Sequence, residues 1–343
     1  MLTKITLDNF KSFKNKTVVD LTKTNYTILP QNVADNGVLK GCIFVGANAS
    51  GKSTIILAVK LLLDLLFSER NINSGMFLCM FGDTNKYSLS YEFLIENKTI
   101  SYSFEVDVAK KMISESLYID NKLLLQRMGL SAKSYIADSN GINYDEDDVG
   151  KDSLFLRTLY FNTKFASNST LGSWMDCLKK SFYVNMFKGE IVSYGKRDMT
   201  IATYLDNGGC EVINNFFDEY NFEQKVEFVH STSGGKISFV AGEDEDVKTV
   251  FFKRKGIEVP IPFFEESLGN QNLLRILPVF LSAINNGGML LIDEFSSGFH
   301  NELESLLVRY FMEKANHAQM LFVSHSTNLL SNSILRPDQE YSV

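Results

Sequence analysis

One stretch, Gly46-Ala47-Asn48-Ala49-Ser50-Gly51-Lys52-Ser53, constrains this chain more than any other. It reads G-x-x-x-x-G-K-S, the phosphate-binding loop or Walker A pattern. The two glycines let the backbone curl, so that successive N–H groups point into an anion-sized nest. Lys52 then brings a cation to the β- and γ-phosphates of a nucleotide, and Ser53 offers its hydroxyl to Mg²⁺. Such a pattern arises by chance in roughly one chain in a hundred of this length, so its context decides. Gly41 to Val45 is a short apolar run that predicts a buried strand, and Thr54 to Leu63 continues as a helix former. Strand, glycine turn and helix N-terminus together are the setting that phosphate binding requires. Gly46 to Ser53, with Thr54, are therefore the candidate nucleotide-binding residues.

The chain has 343 residues, enough for one large α/β core with an inserted or appended lobe. Its net charge of −7 gives no global basic field to attract nucleic acid, although Lys248, Lys253, Arg254 and Lys255 form a candidate local patch. Cys42, Cys79, Cys177 and Cys210 are far apart and form no C-x-x-C pair, which suggests reduced, cytoplasmic thiols rather than a zinc site or disulfide framework. Met1 runs straight into an alternating strand with no signal peptide, and the longest apolar run, Ile55 to Phe67, is too short to span a bilayer.

Strands are expected at Leu2 to Leu7, Val18 to Leu21 and Tyr26 to Leu29, with a turn at Asn9 to Phe13. Three alternating segments, Tyr87 to Ile95, Thr99 to Val106 and Ile113 to Asp120, read as an antiparallel meander. Asp145 to Asp148 is an acidic run without ligand spacing, hence a solvated loop rather than a metal site. Leu154 to Tyr220 is mostly helical in pattern, and short strands resume at Lys225 to His230, Lys236 to Val240 and Val247 to Phe252. These readings divide the chain into an N-terminal half (1–137), an inserted, mainly helical lobe (138–222) and a C-terminal half (223–343).

The C-terminal half carries the remaining chemistry. Met289 to Ile292 are apolar and end in Asp293-Glu294, a Walker B pattern that delivers two carboxylates to the crevice at the strand ends. Asp293 is the candidate Mg²⁺ residue with Ser53, and Glu294 the candidate general base toward the attacking water. Gln319 to Val323 predicts another buried strand, with His325 just beyond it. A lone histidine there is more often structural, but its place after Walker B puts an imidazole within reach of the γ-phosphate. His230, His300 and His317 have weaker claims.

With Walker A, Ser267-Leu268-Gly269-Asn270-Gln271, Walker B and His325 in that order, the chain resembles ABC/SMC-type ATPases. More closely, it resembles the stand-alone AAA family ATPases of bacterial abortive-infection and anti-phage operons, relatives of the overcoming-lysogenization-defect ATPases. The resemblance covers nearly the whole length, from Ile5, Asn9-Phe10-Lys11-Ser12-Phe13 and the meander to Asp293-Glu294 and Ser297-Gly298-Phe299-His300. It implies an α/β, ABC/SMC-like P-loop NTPase head, with the antiparallel meander and an inserted helical lobe. It also implies ATP with Mg²⁺, and a homodimer or higher oligomer sandwiching ATP between subunits. Ser267 and Gly269, with Gln271 beside them, match the signature segment, which binds the γ-phosphate held by the other subunit. Lys11 corresponds to basic residues that reach the nucleotide from the first loop. No clear Q-loop glutamine follows the Walker A helix. The chain also stops at Val343, soon after its last motif, where relatives continue through further strands; this suggests truncation or a missing partner-facing tail.

The first functional reading is thus an ATP-hydrolysing switch that controls or scaffolds an effector, supplied by another chain of the same operon, in anti-phage defence. The alternative is a DNA-repair-type SMC-like ATPase that binds nucleic acid directly. A transporter's nucleotide subunit is disfavoured by the resemblance and by the missing Q-loop.

Overall fold

The computed structural model describes residues 1–68, 70–72, 75–136, 144–195, 199–230 and 248–343. Strands β1 (Leu2–Asp8), β2 (Thr17–Asp20) and β3 (Gly41–Val45) precede helix α1 (Lys52–Phe67). The meander follows as β4 (Lys86–Ile95), β5 (Lys98–Asp107), β6 (Met112–Ile119), β7 (Lys122–Met128), β8 (Ser131–Ser134) and β9 (Tyr144–Glu146). Helices α2 (Phe155–Thr163) and α3 (Ser169–Lys179) lead into the hairpin β10 (Phe182–Asn185) and β11 (Glu190–Ser193). Next come α4 (Ile201–Tyr204), α5 (Cys210–Glu219), β12 (Gln224–His230), β13 (Lys248–Arg254) and β14 (Ile261–Pro262). The chain continues through α6 (Leu268–Asn286), β15 (Gly288–Asp293), α7 (Asn301–Lys314), β16 (Ala318–Val323) and β17 (Glu340–Ser342).

Burial follows the sequence pattern. β3, β15 and β16 are mostly apolar runs buried along nearly their whole length, as parallel strands require, with Gln319 a buried polar exception in β16. They lie in a sheet of order β11-β10-β15-β16-β3-β17, parallel except for the β10–β11 hairpin. β4 and β5 alternate buried and half-buried residues in an antiparallel sheet of order β2-β1-β4-β5-β6-β7-β8-β9. Alternate residues of the parallel strands enter two different cores. Phe44, Leu291 and Leu321 join α1, α2, α3 and the meander. Ile43, Leu290 and Phe322 join α6, α7 and α5. Helix α1 is consequently buried on almost every turn, and its Ala58 carbonyl accepts a 2.7 Å hydrogen bond from the hydroxyl of Tyr91 in the meander.

Several expectations change. Tyr26 to Leu29 is not a strand: Leu29 has a left-handed backbone before Pro30, and Arg336 takes the carbonyls of Tyr26 and Ile28. The segment 154–220 is not uniformly helical, because Phe182 to Asn185 is a fully buried strand pairing in parallel with β15. The acidic run begins in β9, which extends the meander by pairing with β8. Lys236 to Val240 lies outside the described residues.

Candidate active site

β3 ends at Val45, and Gly46 turns the chain with φ +150. A Cβ at Gly46 would lie 2.3 Å from the Val343 carbonyl oxygen, so no other residue fits this position. Ala49 (φ 64) and Gly51 (φ 117) are also left-handed, which curls the loop before α1 begins at Lys52. The Ser50 hydroxyl is buried inside this curl with no hydrogen-bond partner. Lys52 is buried, and its ammonium donates to the carbonyls of Gly46 (3.0 Å) and Ala47 (2.7 Å), which holds the cation over the loop.

The parallel register carries the second half of the site to the same edge. Ser53 Oγ donates to Asp293 Oδ1 at 2.8 Å, linking the start of α1 to the end of β15. Burial pushes the Asp293 carboxyl above its usual range, a shift opposed by the Ser53 hydrogen bond. Glu294 follows with φ 58, a left-handed conformation uncommon for a residue with a side chain. Its Oε2 accepts from Ser297 Oγ at 3.3 Å and lies 3.6 Å from His325 Nε2. The His325 backbone N–H in turn donates to Ser296 Oγ at 3.1 Å. Asn48, Ala49, Gly51 to Thr54, Glu294 and His325 line one cleft of about 540 Å³, together with Ser12.

Two residues of this neighbourhood escaped the sequence reading. Ser12 lies in the Asn9 to Phe13 turn and shares a 3.0 Å hydrogen bond with the Thr54 hydroxyl. Asn185 ends β10 in register with Asp293 and donates its amide to Asp293 Oδ2 at 3.3 Å. Its signal was the one used for Asp293, a short apolar run ending in a polar residue, but it lay inside a segment read as helix.

Other expected site residues stand elsewhere. The Lys11 ammonium sits 5.8 Å from the centre of the Phe77 ring, and Lys11 does not line the cleft. Ser267, Gly269 and Gln271 occupy the start of α6, also outside the cleft. Ser267 caps α6 by accepting from the Asn270 N–H, and Gln271 donates to the Glu266 carbonyl at 2.8 Å. Leu268, between them, is 67% exposed, and a Cβ on Gly269 would meet open space. In the basic patch, Lys253 is paired with Glu227 at 2.6 Å and Arg254 with Glu266 at 2.5 Å.

Among the described residues no group of three or more His, Cys, Asp or Glu gathers as a metal cage. The Ser53 hydroxyl and the Asp293 carboxylate nevertheless form an oxygen-bearing pair of the kind that suits Mg²⁺, which takes its other ligands from water and phosphate, while the Asn185 amide nitrogen holds the carboxylate from the other side. No described helix is long and apolar enough to cross a membrane.

Residues 43–331 match the family described as "AAA domain, putative AbiEii toxin, Type IV TA system". No curated protein matches the chain. Among solved structures, an Smc head bound to the C-terminal winged-helix domain of ScpA is similar at 13% identity and a TM-score of 0.51, over 96% of this chain and 92% of that one. An Smc head with an extended coiled coil, bound to the C-terminal domain of ScpA derived from Pyrococcus furiosus, gives 12% identity and a TM-score of 0.50, over 96% and 91%. At such identities the likeness is one of fold: an ABC/SMC-like P-loop NTPase head. With the family matched over most of its length, the chain belongs to this family of AAA domains.

Proposed function

We propose that this protein is an ATP-binding and ATP-hydrolysing switch whose two copies close around nucleotide. The observation that supports the reading is the Ser53–Asp293 hydrogen bond of 2.8 Å, which joins the end of the loop to the half-buried carboxylate beside the cleft that Ser53 and Glu294 line. In this reading the loop N–H groups and Lys52 hold the phosphates, releasing the ammonium from the Gly46 and Ala47 carbonyls to do so. Ser53 and Asp293 would hold Mg²⁺, with Asn185 orienting the carboxylate. The ion's contribution is to neutralise charge on the phosphate oxygens.

Glu294 accepts the proton of a water that attacks the γ-phosphorus, while the bond to the β–γ bridging oxygen breaks. His325 sits beside that carboxylate and donates a hydrogen bond toward the γ-phosphate. The exposed start of α6, with Ser267, Leu268 and Gly269, is the surface that completes a partner's site. The family's toxin–antitoxin description supports a place in phage defence, where the nucleotide state would hold or release an effector carried by another chain. Direct clamping of nucleic acid is the weaker reading, since Lys253 and Arg254 are already paired with carboxylates.

Glu294→Gln tests the chemistry. The variant should bind ATP as the parent does, with phosphate release slowed by at least about 10². Turnover within about threefold of the parent would contradict the assignment.

A further inference from the structure

Glu304 of α7 is a carboxyl with 0% exposure among the apolar side chains of Leu307, Val308 and Phe311. Packing alone would favour a hydrophobic residue here, because a buried carboxyl without full pairing is costly. Its Oε1 accepts from Ser324 Oγ at 2.5 Å, while Oε2 is buried without a partner. Ser324 Oγ also accepts from the backbone N–H of Ser326 at 3.0 Å, closing the turn around His325. Ser326 Oγ lies 3.5 Å from Asn301 Oδ1, one helical turn before Glu304 on α7. On the cleft side of that three-residue turn, His325 is 42% exposed, with Nε2 3.6 Å from Glu294. The imidazole therefore faces the cleft while both flanking serines are tied to α7 beneath it. Burial also raises the Glu304 pKa, as expected of a carboxyl kept for a hydrogen bond rather than for solvated charge.

We propose that Glu304 is a positioning residue: through Ser324 it fixes the Ser324–Ser326 turn on α7 and so sets His325 against Glu294 in the cleft. The proposal rests on the reading of His325 as part of the hydrolytic site. It also gives α7, which begins just after the turn following Glu294, a direct hold on the histidine.

The test is a double-mutant cycle on the full chain, with steady-state kcat and KM for ATP as readouts. Glu304→Leu should lower kcat by about 10- to 100-fold, since a misplacement near 1 Å costs this much. KM should stay within about threefold, because the phosphate loop is untouched. Glu304→Gln should restore most of kcat, as its amide oxygen accepts the same hydrogen bond. In a His325→Ala background Glu304→Leu should lower kcat no further. An equal further loss in that background, or an unchanged kcat in the otherwise native chain, overturns the proposal. If His325→Ala alone leaves kcat unchanged, the proposal falls as well, and the reading of His325 is what failed. Should Glu304→Leu not fold, Ser324→Ala removes only the hydroxyl and runs the same cycle.

Discussion

Lys52 is buried, and two carbonyls of its own loop, at 3.0 and 2.7 Å, hold its ammonium over that loop. Lys52→Ala removes that cation without touching the strand or the helix face. We expect nucleotide binding to vanish in calorimetry while the circular dichroism spectrum is unchanged; retained ATP affinity would refute the assignment. At this scale the sequence was most legible where a site is contiguous. Gly46 to Ser53 and Asp293-Glu294 stand out as candidates because their neighbours announce strand, turn and helix, and those elements are the ones observed. Asn185 could not, because its relation to Asp293 exists only in the register between β10 and β15. Ser12 is similar: its bond to Thr54 spans 42 positions of sequence and depends on left-handed turns at Asn9 and Lys11.

Among elements, the join between the meander and α2 depends on one buried ion pair. Glu115 of β6 accepts from Arg127 of β7 at 3.0 Å, from the Tyr102 hydroxyl at 2.9 Å and from the Phe155 N–H that opens α2 at 2.7 Å. Arg127 also donates to the carbonyls of Gly129, Gly150 and Ser153. Both side chains are essentially buried. Arg127→Met would leave the Glu115 charge without its partner, which typically costs about 3–5 kcal/mol. Urea titration should show the midpoint falling accordingly, and an unchanged midpoint would show that the pair contributes little. The alternating strands of the meander were readable because one face is buried and the other is not. The hairpin β10–β11 was hidden because a four-residue buried strand has no alternation to separate it from a helix.

Across the whole molecule, the last residues tie the first to the sheet that carries the loop. β17 pairs with β3, and Asp338 accepts from Arg336 and from the Thr24 N–H and hydroxyl. Burial alone would push the Asp338 carboxyl up, but these hydrogen bonds outweigh it and hold the group below the usual carboxylate range. A carboxylate lowered in this way contributes stability above its unfolded value of about 3.9 and loses it as pH falls through the folded value. Asp338→Asn should therefore lower Tm at pH 7, and the gap to the parent should close below about pH 4. A gap constant with pH would mean that the charge plays no part.

The separation of the α6 start from the cleft of its own chain makes a prediction about assembly. In the proposed sandwich, a phosphate held by the loop would be open on its outer side, where two-fold symmetry would bring Ser267 and Gly269 of a second copy and complete two sites at once. Ser267→Arg removes a helix cap worth about 1 kcal/mol, too little to unfold the head, and retained ATP affinity provides the control. The decisive measurement is light scattering in the Glu294→Gln background with ATP and Mg²⁺. The account predicts that the parent background doubles in mass on adding ATP while the Ser267→Arg chain stays a monomer. Equal association by both would contradict it.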